Sequence, residues 1–346
     1  MIDIESPIDI FQSVSVIISP HEKGFTCGII DPKSPTDRDV CSYIAKGIVR
    51  FVRANPELIY EEGMQGFYED DVEENKKQNG EDDNVIDLFT LKKKGLTLMT
   101  THLVIGDPHC TPSASNERFT WAGRMARDLK VDKVICMGDF ASMDSMSSYD
   151  KKKKSFEGRR YKKDIQHAHD ALQKFNNGLG KHEPEMHMML GNHEDRIDRM
   201  VEDNPELDGH LSIDDLKYPE YGWHTYDYRY PAVIDGVYYS HNFPSGVMGT
   251  AISGENMARA LVNKNKVSCT VGHSHLLDYA IAAKPSGKKI MGLSAGCYLT
   301  HREKYAYNTQ RLWWSGLVVK RNVKGGEYDI ETVHISEVKK RYGRRS

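Results

Sequence analysis

LTLMTTHLVIGDPHC, residues 96–110, runs from an apolar stretch straight into a turn that carries Asp107 and His109. An apolar run of strand length that ends on ligand-type side chains suits a strand buried in a sheet, with its carboxyl end at a site. The same construction returns in KVICMGD (133–139), EMHMMLGNHE (185–194), VYYSHN (237–242) and KVSCTVGHSH (266–275). Between the first two, Phe119, Ala122, Ala126 and Leu129 recur at helical spacing; between the second and third, Ile165, Ala168, Leu172 and Phe175 do the same. Asp235-Gly236 is a hairpin turn signal. Pro285-Ser286-Gly287 and Gly325-Gly326 mark two more, the second joining GLVVK (316–320) to YDIETVHI (328–335). Strand–helix–strand units followed by hairpins predict an α/β protein, with a mixed sheet or a pair of sheets and helices outside.

Outward from this region the sequence changes character. Residues 69–95 read as an acidic linker or mobile loop, because EDDVEENKKQNGEDDN (69–84) holds eight acids and a single apolar residue, Val72. Before it, Val40, Ile44, Ile48 and Phe51 predict an amphipathic helix that Pro56 closes, within a small N-terminal appendage over 1–68 whose role the sequence does not reveal. The domain that carries the motifs spans 96–335, and 336–346 reads as a basic tail.

Composition narrows the class. The 346 residues are 39% hydrophobic and 28% charged with a formal net charge of −3, which excludes a uniformly basic nucleic-acid binder but not a local basic patch. No apolar run reaches the roughly 18 residues of a membrane helix. Acids stand at positions 3 and 5, where a secretory signal carries basic residues. The six cysteines form no CxxC pair, so free thiols in a reducing cytoplasm are expected, not a disulfide framework.

The chemistry sits at the strand ends: Asp107 and His109, Asp139, Asn192 and His193, His241, and His273 with His275. Each motif alone is also an ordinary strand-end turn; five in this order are not. Carboxyl ends of strands in an open α/β sheet converge on one crevice, so these residues can meet despite their separation in sequence. Imidazole and carboxylate donors without a thiolate suit Mn²⁺, Fe, Zn²⁺ or Ni²⁺, with Mn²⁺ first. Seven ligands exceed one tetrahedral ion and suit two divalent ions that share a bridging carboxylate.

Together these motifs resemble the calcineurin-like metallophosphoesterase superfamily over roughly residues 98–335. The resemblance implies a four-layer α/β/β/α sandwich of two mixed sheets flanked by helices. It implies that Asp107, His109 and His275 bind one ion, that Asn192, His241 and His273 bind the other, and that Asp139 bridges them. His193 then corresponds to the non-ligand histidine that contacts the phosphate and protonates the leaving oxygen, while a hydroxide shared by the ions attacks phosphorus. One departure from the phosphoprotein-phosphatase branch matters. Its second motif reads GDxxDR, whereas here Gly138-Asp139 is followed by Phe-Ala-Ser142-Met, without the acid and without the arginine. Asp144 or Asp195 could orient His193 in place of that acid; spacing selects neither.

Residues 151–163, KKKKSFEGRRYKK, hold eight bases against one acid. The run is either a solvated face or a guide for a polyanion at the crevice mouth; in the second case Lys151, Lys152, Lys153, Lys154, Arg159 and Arg160 contact substrate. His182 and His187 lack zincin spacing, and His167 and His169, two apart on a helix, read as surface residues. The expected function is a metal-dependent phosphodiesterase or nuclease acting on a nucleic-acid strand or nucleotide. A phosphomonoesterase acting on a phosphoprotein or metabolite is the alternative, and a binding scaffold the reading from a different class. The sequence sets no oligomeric state.

Overall fold

The structure, a computed structural model, describes residues 99–343 together with three N-terminal strands at 8–11, 14–21 and 24–29. The chain divides into two compact units, Met1–Leu91 and Lys92–Ser346. In the first, β1 (Ile8–Phe11), β2 (Val14–His21) and β3 (Gly24–Ile29) form an antiparallel sheet in that order. The helix expected over 40–51 and the acidic linker lie outside the described residues.

The second unit holds two mixed sheets. The larger runs β16 (Glu327–His334), β15 (Gly316–Lys324), β4 (Thr100–Ile105), β5 (Lys133–Cys136), β6 (Glu185–Met189), β7 (Trp223–Tyr226). The smaller runs β13 (Leu277–Ala283), β14 (Lys289–Ala295), β12 (Cys269–Val271), β9 (Val237–Tyr239), β8 (Ala232–Ile234). A two-residue pair, β10 (Pro244–Ser245) with β11 (Thr250–Ala251), stands apart from both. Strand periodicity explains how one strand serves two cores. Leu103 and Ile105 of β4, Val134 and Cys136 of β5, and Leu317 and Val319 of β15 face the outer helices. Their alternates Val104, Ile135 and Val318 face inward and pack with Val237, Tyr239, Met291 and Leu293 of the smaller sheet. Outside the large sheet lie α1 (Glu117–Asp128), α2 (Tyr161–Leu179) and α5 (Ile335–Tyr342), which contribute Phe119, Leu172 and Val338 to that core. Outside the small sheet, α4 (Met257–Asn265) packs Met257 and Leu261 on Cys269 and Val271. The result is the expected α/β/β/α sandwich, and a helix α3 (Asp195–Asp203) follows the third motif.

Two glycines let α1 and α2 touch backbone to backbone. A Cβ at Gly123 would stand 2.2 Å from the Phe175 carbonyl oxygen, and one at Gly178 would stand 2.4 Å from that of Thr120. All three expected hairpins form: β8–β9 about Asp235-Gly236, β13–β14 and β15–β16. The stretch read as a basic tail is instead largely helical. Over Ile335–Tyr342, Val338 and Tyr342 are buried in the helix-side core while the basic residues occupy the last turn.

The inter-sheet layer is not wholly apolar. Lys320 is fully buried; its Nζ donates to Thr270 Oγ1 at 2.5 Å and Tyr239 Oη at 3.1 Å, and lies 4.2 Å from the Tyr328 ring centre. Burial holds its pKa far below the ordinary lysine range. His102 extends the network, with Nδ1 2.8 Å from Tyr239 Oη and Nε2 2.8 Å from Asp235 Oδ2. Among the described residues no helix is long and apolar enough to cross a membrane.

Candidate metal centre

Strand register brings the motifs level. β4 and β5 run parallel with Ile105 opposite Cys136, and β5 and β6 with Cys136 opposite Met188, so the turns carrying Asp107, Asp139 and Asn192 emerge side by side. In the other sheet Tyr239 lies opposite Thr270, which delivers His241 and His273 to the same end.

There the ligand-type atoms fall into overlapping groups. Asp107, His109 and His275 form one and Asp139, His241 and His273 another, with the donor atoms of each group within 4.8 Å of one another. Asp139 lies between them, its Oδ2 3.8 Å from His109 Nε2 and 3.4 Å from His241 Nε2. Asn192 joins the second group, with Oδ1 3.0 Å from His241 Nε2. His193 completes a third group with His109 and Asp139. All eight residues named in these motifs thus share one end of the sandwich.

The electrostatics suit a cation. His241 Nδ1 donates to the Met137 carbonyl at 2.8 Å, so in the neutral ring Nε2 carries a lone pair. That lone pair faces the Asn192 and Asp139 oxygens, a set of mutually repelling acceptors that a positive ion would reconcile. Asp107 is fully buried without a well-formed hydrogen bond to either oxygen, and the side chain nearest to satisfying it is His275, with Nε2 3.2 Å from Oδ2. A buried carboxylate so poorly satisfied is destabilising unless it is protonated or meets a cation. Burial accordingly pushes Asp107 and Asp139 above the ordinary carboxylate range, and the neighbouring Asp107 charge raises Asp139 further. Burial holds His109 well down and His275 at about 4, which keeps these rings neutral and able to ligate, and it holds His193 down as well. The donor set therefore fits a divalent ion; it specifies neither identity nor number.

Backbone conformation at the site is unusual. His109 (φ 42°), Asp139 (φ 47°), His273 (φ 63°) and His275 (φ 60°) all occupy the left-handed region. Glu194 holds the turns in register: fully buried, it accepts the backbone N–H groups of Asp139, Ala141 and Gly191 at 3.1, 2.9 and 2.9 Å, and Tyr218 Oη–H at 3.1 Å. The sequence reading gave Glu194 no role, although its place directly after His193 was a signal. Buried Arg118 supports the first turn by donating to the Pro108 carbonyl at 2.8 Å.

Neither acid proposed to orient His193 does so. Its Nδ1 donates to the Ser142 carbonyl at 2.7 Å, while Asp144 accepts from Thr111 Oγ1 at 2.7 Å and Asp195 pairs with Arg199 at 2.9 Å. Arg196, which the sequence reading passed over, donates from Nη2 to His193 Nε2 at 2.9 Å. A cavity of about 440 Å³ opens here, lined by His109, Asp139, His193, Arg196, Tyr149 and Lys153, among others.

The basic run borders this cavity through Lys153. Lys153 and Arg159 both pair with Asp150, at 2.9 and 2.8 Å, so part of their charge is already matched. Lys151, Lys152, Lys154 and Arg160 are exposed. His167 and His169 are half-buried, not surface residues, and His169 Nε2 donates to the Asp215 carbonyl at 2.8 Å. His182 and His187 lie away from the cavity lining, bonded to the Val131 carbonyl and Tyr226 Oη. Cys110, Cys136, Cys269 and Cys297 are buried free thiols.

No family model matches the chain, and no curated protein matches it. Among solved structures, one chain superposes at a TM-score of 0.36 with 9% identity, and the protein TT1561 of Thermus thermophilus at 0.32 with 7%. Both alignments span 69% of this chain and 100% of the other. Overlap this loose carries nothing about the site.

Proposed function

We propose that this chain is a metal-dependent phosphoesterase, in the first place a phosphodiesterase or nuclease acting on a nucleic-acid strand or nucleotide. The observation that carries the reading is the convergence of acceptors about buried Asp139, which belongs to the group with His241 and His273 and lies 3.8 Å from His109 of the group with Asp107 and His275. Asp107, His109 and His275 would hold one ion, and Asn192, His241 and His273 a second. When bound, such a pair supplies positive charge to the phosphate oxygens and lowers the pKa of a water toward neutrality.

The chain's own residues supply the rest. The Ser142 carbonyl fixes the His193 tautomer by accepting a hydrogen bond from Nδ1–H, which leaves the Nε2 lone pair facing the cavity, where a proton taken up from solvent could pass to the leaving oxygen. Burial and Arg196 disfavour that proton in the free protein, and an anionic substrate beside the ring would favour it. Lys153 and the exposed Tyr149 on the cavity wall offer charge and a stacking face to a strand. The second reading, a phosphomonoesterase, draws support from Arg196, an arginine inside the cavity where the second motif lacks one.

The test is turnover by Mn²⁺-loaded protein on bis(nitrophenyl) phosphate, nitrophenyl phosphate and single-stranded DNA. We expect metal-dependent cleavage with the diesters ahead. Two tightly held ions with no hydrolysis of any substrate would favour a binding scaffold and sink the enzyme reading.

A further inference from the structure

Arg196 is the second residue of α3, a position from which a long side chain can reach solvent. Its guanidinium turns instead into the cavity that holds the ligand-type residues. Nη1 donates to the Ser142 carbonyl at 2.9 Å, and Nη2 to His193 Nε2 at 2.9 Å. Ser142 therefore anchors both side chains: one carbonyl takes the His193 Nδ1 proton and an Arg196 proton together.

We infer that Arg196 grips a non-bridging oxygen of the substrate's phosphate, and that in doing so it releases His193 Nε2. The inference rests on the phosphoesterase reading above. A phosphate that uses His193 Nε2 comes close to Nη2, because those two atoms stand only 2.9 Å apart, and a small swing of the arginine brings the guanidinium onto it. A guanidinium cannot accept a hydrogen bond and stays charged, so its contact with a neutral imidazole nitrogen is a weaker use of the donor than a contact with an anion. An arriving phosphate oxygen takes over the Nη2 hydrogen, and Nε2, no longer an acceptor for it, is open to the solvent proton that it would pass to the leaving oxygen. Nη1 keeps its hold on Ser142, so the fork swings about a fixed point and stays ordered. Geometry thus replaces the arginine missing after Gly138-Asp139 with one from the helix that follows the third motif.

A purely structural arginine, tying Ser142 to α3, would make the same contacts in the free protein. The experiment that separates the two compares the parent, Arg196→Gln and Arg196→Lys, each loaded with Mn²⁺. Bound metal is counted by mass spectrometry and inorganic phosphate binding measured by calorimetry. We expect all three to keep the same metal content. Phosphate affinity should fall roughly ten- to hundredfold in Arg196→Gln, as for losing a hydrogen bond to a charged group. Arg196→Lys, which keeps the charge but not the fork, should fall between. On chromogenic esters KM should rise more than kcat falls, and more for the dianionic monoester than for the monoanionic diester. Should Arg196→Gln not fold, the lysine variant carries the same comparison. Parent-like phosphate affinity in the variants, or loss of metal, overturns the inference alone. A parent that holds its ions yet takes up no phosphate overturns the phosphoesterase reading with it.

Discussion

Gly272 stands directly before His273, and a Cβ built there would lie 2.0 Å from Asp107 Oδ1 and 3.1 Å from Met137 Cβ. Substituting alanine leaves the carboxylate about 1.4 Å short of the 3.4 Å at which ordinary contact begins. Asp107 has nowhere to go at no cost, being fully buried. Either the carboxylate turns or the strand end carrying His273 backs away, and both displace a ligand by about 1 Å. Ligand distances in a metal site tolerate about 0.2 Å. Disturbing even the support of a ligand typically lowers metal affinity about 10–100-fold, so Gly272→Ala should do at least that to the Asp107 half of the centre. The backbone is not left-handed at this glycine, so the fold itself should survive. The assay is Mn²⁺ titration by calorimetry, with metal counted after dialysis and melting followed with and without Mn²⁺. We expect a weakened or missing ion and a smaller metal-induced rise in Tm over an intact metal-free melt. An alanine variant that binds Mn²⁺ with the parent's stoichiometry and affinity would refute the placement of Asp107 as a ligand.

Other outcomes follow from the same geometry. Asp139→Asn, which removes a negative charge between the two ligand groups, should lower both metal retention and rate; two ions and near-normal turnover would remove its bridging role. His193→Ala should keep its metals while losing about 10²–10⁴-fold on esters with poor leaving groups, and much less on nitrophenyl esters. Equal loss on every leaving group would count against a proton donor. Changing Lys151, Lys152 and Lys154 together to serine spares the cavity-lining Lys153; it should weaken DNA binding and flatten its salt dependence by about 0.7–0.9 log units per lost phosphate contact. An unchanged slope would make the run a solvated face. Because burial raises Asp107 and Asp139, the metal-free site holds protons that an ion must displace. Affinity for Mn²⁺ should therefore climb between about pH 6 and pH 8 with measurable proton release; a flat profile would mean that both carboxylates are already ionised.

The alternation of strands and helices, the hairpins and the gathering of the motifs were legible because each rests on a local pattern. Apolar runs such as KVIC end on ligand-type residues, and Asp235-Gly236 allows few conformations but a tight turn. Strand β7 had no such mark, since of WHTY only Trp223 is buried and the strand lies at the sheet's edge. The basic residues near the C-terminus concealed a helix, because charge dominates composition while two buried side chains, Val338 and Tyr342, decide its packing. Arg196 and Glu194 failed to show for a related reason. In GNHEDR they read as charges at a helix start; the place of Glu194 beside His193 hints at the site, but only the fold shows that both turn inward. Lys320 is the clearest case: nothing in GLVVK says that its lysine is enclosed between two sheets, since its partners Tyr239 and Thr270 come from a different sheet.

The left-handed backbone at His109, His273 and His275 bears on how this protein would respond to selection. A residue other than glycine held in that region costs of order 1–3 kcal/mol, tolerated only because the surroundings insist on it. Laboratory evolution for heat resistance alone, in chelator, should therefore drift toward glycine or asparagine at these three positions and collect sturdier proteins with an emptied centre. The same screen run with metal present should retain the histidines. Durability and ligand geometry thus pull these three codons in opposite directions, and the medium in which variants are sorted decides which prevails.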